Sequence, residues 1–219
     1  MKRGRYLYIG LILILIGAGC ITGKAPTTSP STTSPKPRPR KLITGDPARY
    51  VLSESDVPPG FHLDIAWYQD IEAAANTWDD PEEGREKLAE RGYINAYISR
   101  LKKDISAIDI FSEPFFISSR VEIYEAPMGA AESFRYRPKY FIEEGGLKKL
   151  SSVNVGDEGV LLGYDFSVED VDFSFYVLLF RYANTLNTVI VGGFAGSPNR
   201  GEIIEYATTM EWKLEKERP

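Results

Sequence analysis

Cys20 is the residue with the most definite chemistry. It is the only cysteine among 219 residues, so its thiol has no intrachain disulfide partner. It directly follows Gly17-Ala18-Gly19. Residues this small let a peptidase approach the backbone closely, and a thiol beside such a cut can be alkylated by a lipid. The other reactive groups are less ordered. His62 is the only imidazole, and the alternation around it turns it to the outward face of a strand. Carboxylates recur as Asp79-Asp80, Glu82-Glu83, Glu143-Glu144 and Asp157-Glu158, the type of pair that can act as acid and base. Helix caps, a solvated helix face and a hairpin turn account for the same residues without a reaction. Glu169, Asp170 and Asp172 offer a calcium ion the oxygen donors it takes, but the EF-hand spacing is absent, and a solvated acidic loop is the plainer reading. Tyr136, Tyr140 and Phe141 lie around Pro138; a helix broken there would leave a gap for them to line as a groove. No G-x-S-x-G, Walker A or G-x-G-x-x-G motif is present. The expectation is a non-catalytic chain without a cofactor.

The residues before Cys20 are those of a targeting segment. Lys2, Arg3 and Arg5 precede an uncharged stretch of 18 residues, Tyr6 to Gly23, most apolar at Leu11–Ile16. A positive start, a short apolar core and small residues before a cut are the parts of a secretory signal. The segment resembles a prokaryotic lipoprotein signal whose lipobox is Ile16-Gly17-Ala18-Gly19-Cys20. That resemblance implies cleavage before Cys20 and a lipid on its thiol. Gly17 stands where the bacterial box has a bulky aliphatic residue, and the small-residue version looks more like the archaeal one. The alternative is an uncleaved N-terminal helix, because 18 uncharged residues just reach spanning length. Both readings place the rest of the chain outside the cytoplasm, since the positive end stays inside. A single lipid chain binds membranes only marginally, so a Cys20 anchor needs two.

A stalk follows. Residues 23–40 are dominated by Ser, Thr and Pro, which cannot bury apolar surface and hold the chain extended. At about 3.1 Å per residue such a segment spans up to roughly 55 Å. It is a plain spacer or an O-glycosylated one. Its cations Lys36, Arg38, Arg40 and Lys41 are expected to be solvated, to rest on anionic headgroups or to pair with the body. Charge divides the chain at the same place. No Asp or Glu precedes Asp46, while eight of the 26 basic residues do; residues 46–219 keep 18 cations against all 31 acids, a net of −13. The whole-chain pI of about 5.1 already disfavours nucleic acid, whose binding domains have pI values above roughly 9. The organisation expected is a signal peptide at 1–19, a lipid-anchored stalk at 20–45 and one globular domain at 46–219.

In that domain, Phe61, Leu63, Ile65 and Trp67 alternate with polar residues and predict a half-buried strand sharing one face. Ile71–Trp78 reads as a helix. Asp80-Pro81 with Glu83 starts another, which ends at Gly92. Strands are predicted at 93–101 and 115–124, with a short extra strand within 104–114. A helix from Pro127 is expected to kink or break at Pro138. Strands at 147–155, 160–166, 173–182 and 188–194 follow, with a turn at 184–187, and a last helix is capped by Asn199 and Glu202. Clustered hairpins imply an α+β fold: a largely antiparallel sheet with helices on one or both faces. Asp56-Val57-Pro58-Pro59-Gly60-Phe61, Val155-Gly156-Asp157-Glu158, the strand pair ending in Arg181 and running through Thr188–Gly193, and the closing helix resemble the PsbP-like α/β/α sandwich over residues 50–215. That family consists mostly of non-catalytic accessory or binding proteins, so the resemblance implies no catalytic residue. The expected partners are the membrane, through Cys20 or an uncleaved helix, and a surface protein or small ligand. An accessory role in a transporter or envelope assembly is the alternative, followed by a surface hydrolase working with carboxylates alone.

Overall fold

A computed structural model describes residues 40–104 and 114–217. Cys20, Lys36, Arg38 and nearly all of the short strand expected within 104–114 lie outside them.

Seven strands form one sheet in which every neighbouring pair is antiparallel. They are β1 (Phe61–Gln69), β2 (Tyr93–Lys103), β3 (Phe116–Tyr124), β4 (Lys148–Val153), β5 (Glu158–Val168), β6 (Val171–Tyr182) and β7 (Thr185–Phe194). Their spatial order is β1-β2-β3-β7-β6-β5-β4. The first three strands thus make one half-sheet and the last four the other, joined where β3 pairs with β7. The interior strands follow from their composition. Leu178, Phe180 and Tyr182 of β6 point to one face while Val177 and Leu179 point to the other, and all five are buried. A strand apolar on both faces needs cover on both.

The cover comes from four helices: α1 (Ile71–Ala75), α2 (Pro81–Glu90), α3 (Pro127–Glu143) and α4 (Arg200–Lys216). The stripe Ile203, Ala207, Met210 and Leu214 of α4 is fully buried against Val189, Val191, Leu178 and Phe180. Ile203, Met210 and Leu214 each contribute about 1.5–3 kcal/mol. On the other face Ala74, Ala75, Leu88, Ala130 and Phe141 of α1, α2 and α3 pack on Leu162, Leu179, Leu186 and Ile190. The result is a three-layer α/β/α sandwich of the α+β class. The caps form as the sequence predicts: Asp80 accepts from the Glu82 and Glu83 amides, and Asn199 with Glu202 closes a capping box. Gly129 lies where the first turn of α3 meets the Arg91 carbonyl so closely that a Cβ would collide with that backbone.

Several boundaries differ from the sequence reading. The helix at 71–78 stops at Ala75. Pro138 sits inside α3, which neither ends nor splits there. The β6–β7 turn is only Ala183-Asn184, with Ala183 at φ 50°. Residues read as turn begin β7 instead, because the Thr185 hydroxyl donates to the Tyr182 carbonyl and the Asn187 amide nitrogen donates to Thr185 Oγ1, which gives both buried side chains a donor bond inside the sheet.

The globular domain also begins earlier than Asp46. Arg40 Nε lies 2.8 Å from Asp157 Oδ1, with the guanidinium over the Tyr182 ring at 4.1 Å. Ile43 is buried, and its amide and carbonyl are both bound by the Asn184 side chain. Residues 40–45, assigned by composition to the stalk, are therefore docked on the domain.

Candidate functional site

The two edges of the sheet are built differently. β4 is six residues long and carries Lys148 and Lys149. Short length and lysines are how sheet edges are kept from pairing. β1 has nine residues, and every one from His62 to Tyr68 is exposed. The half-buried strand expected here is an edge strand open on both faces. An irregularity between Leu63 and Ile65 explains why alternation misled. Leu63 and Tyr68 register with Leu101 and Tyr97 on the α4 side, whereas Ile65 and Trp67 register with Arg100 and Ile98 on the α3 side. Leu63 is 51% exposed, Ile65 37%, Trp67 40% and Tyr68 55%. Exposed apolar side chains grouped like this mark an interaction surface far better than scattered single ones.

Beside Leu63 a cleft of about 570 Å³ opens between the sheet and the chain running through Ala48–Ser55. On the sheet side it is lined by Leu63, Tyr97 and Leu101 and on the other by Val51 and Leu52, together with Arg49, Glu54 and Lys213. That volume is within the range of small-ligand pockets. The outer wall is held firmly. The Leu52 amide donates to Ser119 Oγ, the Ser99 hydroxyl donates to the Leu52 carbonyl, and Lys213 Nζ donates to the Val51 carbonyl at 2.8 Å. Lys213 also pairs with Asp56. Burial raises the Asp56 pKa, but the Lys213 ammonium and Ser53 outweigh it and leave the carboxyl below its usual value.

Three carboxylates fringe β1. Glu54 Oε1 accepts the Leu63 amide at 2.8 Å. Asp46 accepts the Tyr68 hydroxyl at 2.9 Å, a hydrogen bond that raises the phenol's pKa. Asp70 follows the strand and caps α1 by accepting from the Ala73 amide. All three lack an ion pair among the described residues.

The residues singled out by sequence are not brought together. His62 is exposed, with Nε2 3.9 Å from Asp104 Oδ1. α3 runs unbroken through Pro138, so the helix break expected to leave a groove beside Tyr136, Tyr140 and Phe141 does not form. Phe141 is buried in the core, Tyr136 is 49% exposed under the Arg91 guanidinium, and Tyr140 touches Phe141 edge-on. Glu169 and Asp170 occupy the two central positions of the β5–β6 hairpin, with φ values of 49° and 66°. Two consecutive positive φ values are those of a type I′ turn, which favours short polar residues. Asp172 accepts from the Ser167 hydroxyl. Asp157 and Glu158 hold Arg181 at 3.0 and 2.7 Å. No three His, Cys, Asp or Glu side chains converge among the described residues.

One charged cluster was not visible in sequence. Glu122 is fully buried beneath α3, between Arg120 at 3.0 Å and Arg137 at 2.9 Å, and accepts from the Tyr124 hydroxyl at 2.8 Å. Burial pushes its pKa up, yet the two guanidiniums and the hydroxyl prevail and hold the carboxyl below its usual value. The cluster ties β3 to α3.

Among the described residues no helix is long and apolar enough to cross a membrane. No family model and no curated protein matches the chain. Among solved structures, the extracellular domain of PknH from Mycobacterium tuberculosis is similar over 78% of this chain and 95% of that one, with a TM-score of 0.48 and 9% sequence identity.

Proposed function

We propose that this chain is an extracytoplasmic, lipid-anchored domain that binds a partner or ligand and catalyses no reaction. The observation that carries the binding reading is β1, an edge strand with apolar side chains exposed on both faces beside a cleft. The anchoring reading stands on the positive start, apolar core and small residues that precede Cys20. Of the paired carboxylates, Asp80 caps a helix and Asp157 and Glu158 are held on Arg181. The docking of Arg40 on Asp157 leaves residues 20–39 as the spacer between lipid and domain. At about 3.1 Å per residue that is roughly 60 Å, enough to hold an acidic body clear of an anionic bilayer.

Replacing Cys20 by Ser tests the anchor. The variant is expected in the soluble fraction, without the mass of a lipid adduct. Retention in the membrane with no lipid mass on the wild-type chain contradicts anchoring through Cys20. Binding is tested by a photo-reactive residue at position 68, which should form adducts in membranes that contain the protein's natural surroundings.

A further inference from the structure

The exposed apolar side chains of β1 lie on opposite faces of the sheet. A ligand seated in the cleft covers Leu63 but does not reach Ile65 and Trp67, which point to the α3 side. Only one kind of object covers both faces at once: another extended strand, whose side chains alternate between them. The backbone agrees. As the terminal strand, β1 pairs only with β2 among the described residues, and the Leu63 amide is turned to a carboxylate, not to a strand.

Charge then selects the strand. A second copy of this chain would bring the Asp46, Glu54 and Asp70 fringe of one body against the same carboxylates of the other, on bodies whose residues 40–219 hold 20 basic and 31 acidic residues, a net of −11 each. Like charges meeting across an interface disfavour that pairing. A cationic strand would instead neutralise three carboxylates that have no ion pair among the described residues. Resting on the binding reading above, we propose that β1 is an acceptor edge for an extended peptide segment of another protein, apolar at its centre and lysine- or arginine-rich at its ends, which adds as an eighth strand. Beyond the Glu54-capped Leu63, the open stretch is Asp64–Gln69, so the added strand needs about six residues, roughly 20 Å of extended chain. Main-chain hydrogen bonds would supply affinity, and the two-sided apolar contacts and carboxylate fringe would supply selection.

The test uses the full-length chain in detergent micelles and a synthetic peptide of valine-threonine-valine-tyrosine-valine flanked by two lysines at each end. Binding is followed by calorimetry, and amide hydrogen exchange locates it. The expected result is saturable binding that weakens with added salt and slows exchange within residues 64–69 but not in β4. Glutamates in place of the lysines, or Ile65→Lys in the protein, should weaken binding by about tenfold or more, and a proline at the centre of the peptide should abolish it. Trp67→Ser serves as a second variant should Ile65→Lys fail to give the wild-type circular dichroism spectrum. Equal binding of the proline peptide, protection located elsewhere, indifference to both variants, or no binding overturns the proposal. So does a concentration-dependent dimer with β1 protected, which makes a second copy the occupant. Adducts from position 68 combined with no peptide binding would remove strand addition and leave the broader binding reading intact.

Discussion

Arg40 and Asp157 meet at 2.8 Å, and the same carboxylate also holds Arg181 and accepts the Ala183 amide at 2.8 Å. One side chain therefore fastens the end of the spacer to the tight turn between β6 and β7. Gly156, at φ 70°, presents Asp157 to this position where a Cβ would strike the Arg181 carbonyl. Asp157→Asn keeps the shape but removes the charge. It is expected to lower unfolding free energy by about 1.5–3 kcal/mol, the range for hydrogen bonds to charged groups. It should also speed proteolysis in residues 40–46. Denaturant unfolding and timed digestion check both effects.

Acid should destabilise the fold for a nameable reason. Glu122 and Asp56 have pKa values held below their ordinary 4.5 and 3.8. A carboxylate with a depressed folded pKa contributes stability that is complete above its unfolded value and is lost as pH falls through the folded one. The melting temperature should thus be flat from neutral pH down to about 4.5 and fall steeply below it. Glu122→Gln should weaken that dependence. It should also cost about 3–5 kcal/mol at neutral pH, because the buried Arg120 guanidinium would face a neutral amide in place of a carboxylate. Thermal melts from pH 3 to 8 on both proteins make the comparison.

Pro138 sits within the 17-residue α3, where it removes one helical hydrogen bond. Pro in a helix interior costs about 3 kcal/mol against Ala. Pro138→Ala should raise stability by about 1–3 kcal/mol. For a domain of this size that is a melting increase of about 2–4 °C for each kcal/mol, readable by calorimetry.

Ile65 and Trp67 face outward from an edge strand, so polar substitutions there should leave stability within about 0.5 kcal/mol of wild type. Chemical denaturation of Ile65→Lys and Trp67→Ser measures this. A loss of several kcal/mol would mean that these side chains are covered in the free protein.

The elements whose local signal agrees with their surroundings were legible in sequence. The two apolar faces of β6, the capped start of α4 and its buried stripe all follow from residue pattern, because each is decided by neighbours close in the chain. Features decided by distant contacts were not. Residues 40–45 follow a Pro-rich run in composition, yet Ile43 is held by Asn184, 141 residues away. β1 alternates like a half-buried strand, but its place at the sheet edge depends on strand order, and one irregularity after Leu63 sends Ile65 to the opposite face. Glu122 alternates within a strand as a solvated residue would; its burial depends on two arginines, one of them on α3. The cleft wall left a trace in the sequence, the apolar run Tyr50-Val51-Leu52 after Asp46-Pro47, a segment to which no element was assigned.

The central claim is that binding occurs at the β1 edge and not at the other edge of the same sheet. It is tested most directly by placing a benzoylphenylalanine cross-linker at Tyr68 or, separately, at Lys149 on β4, in the full-length membrane-borne protein. The account expects a discrete adduct from position 68 and none from position 149. Adducts from position 149 alone, equal adducts from both, or none from either would contradict it.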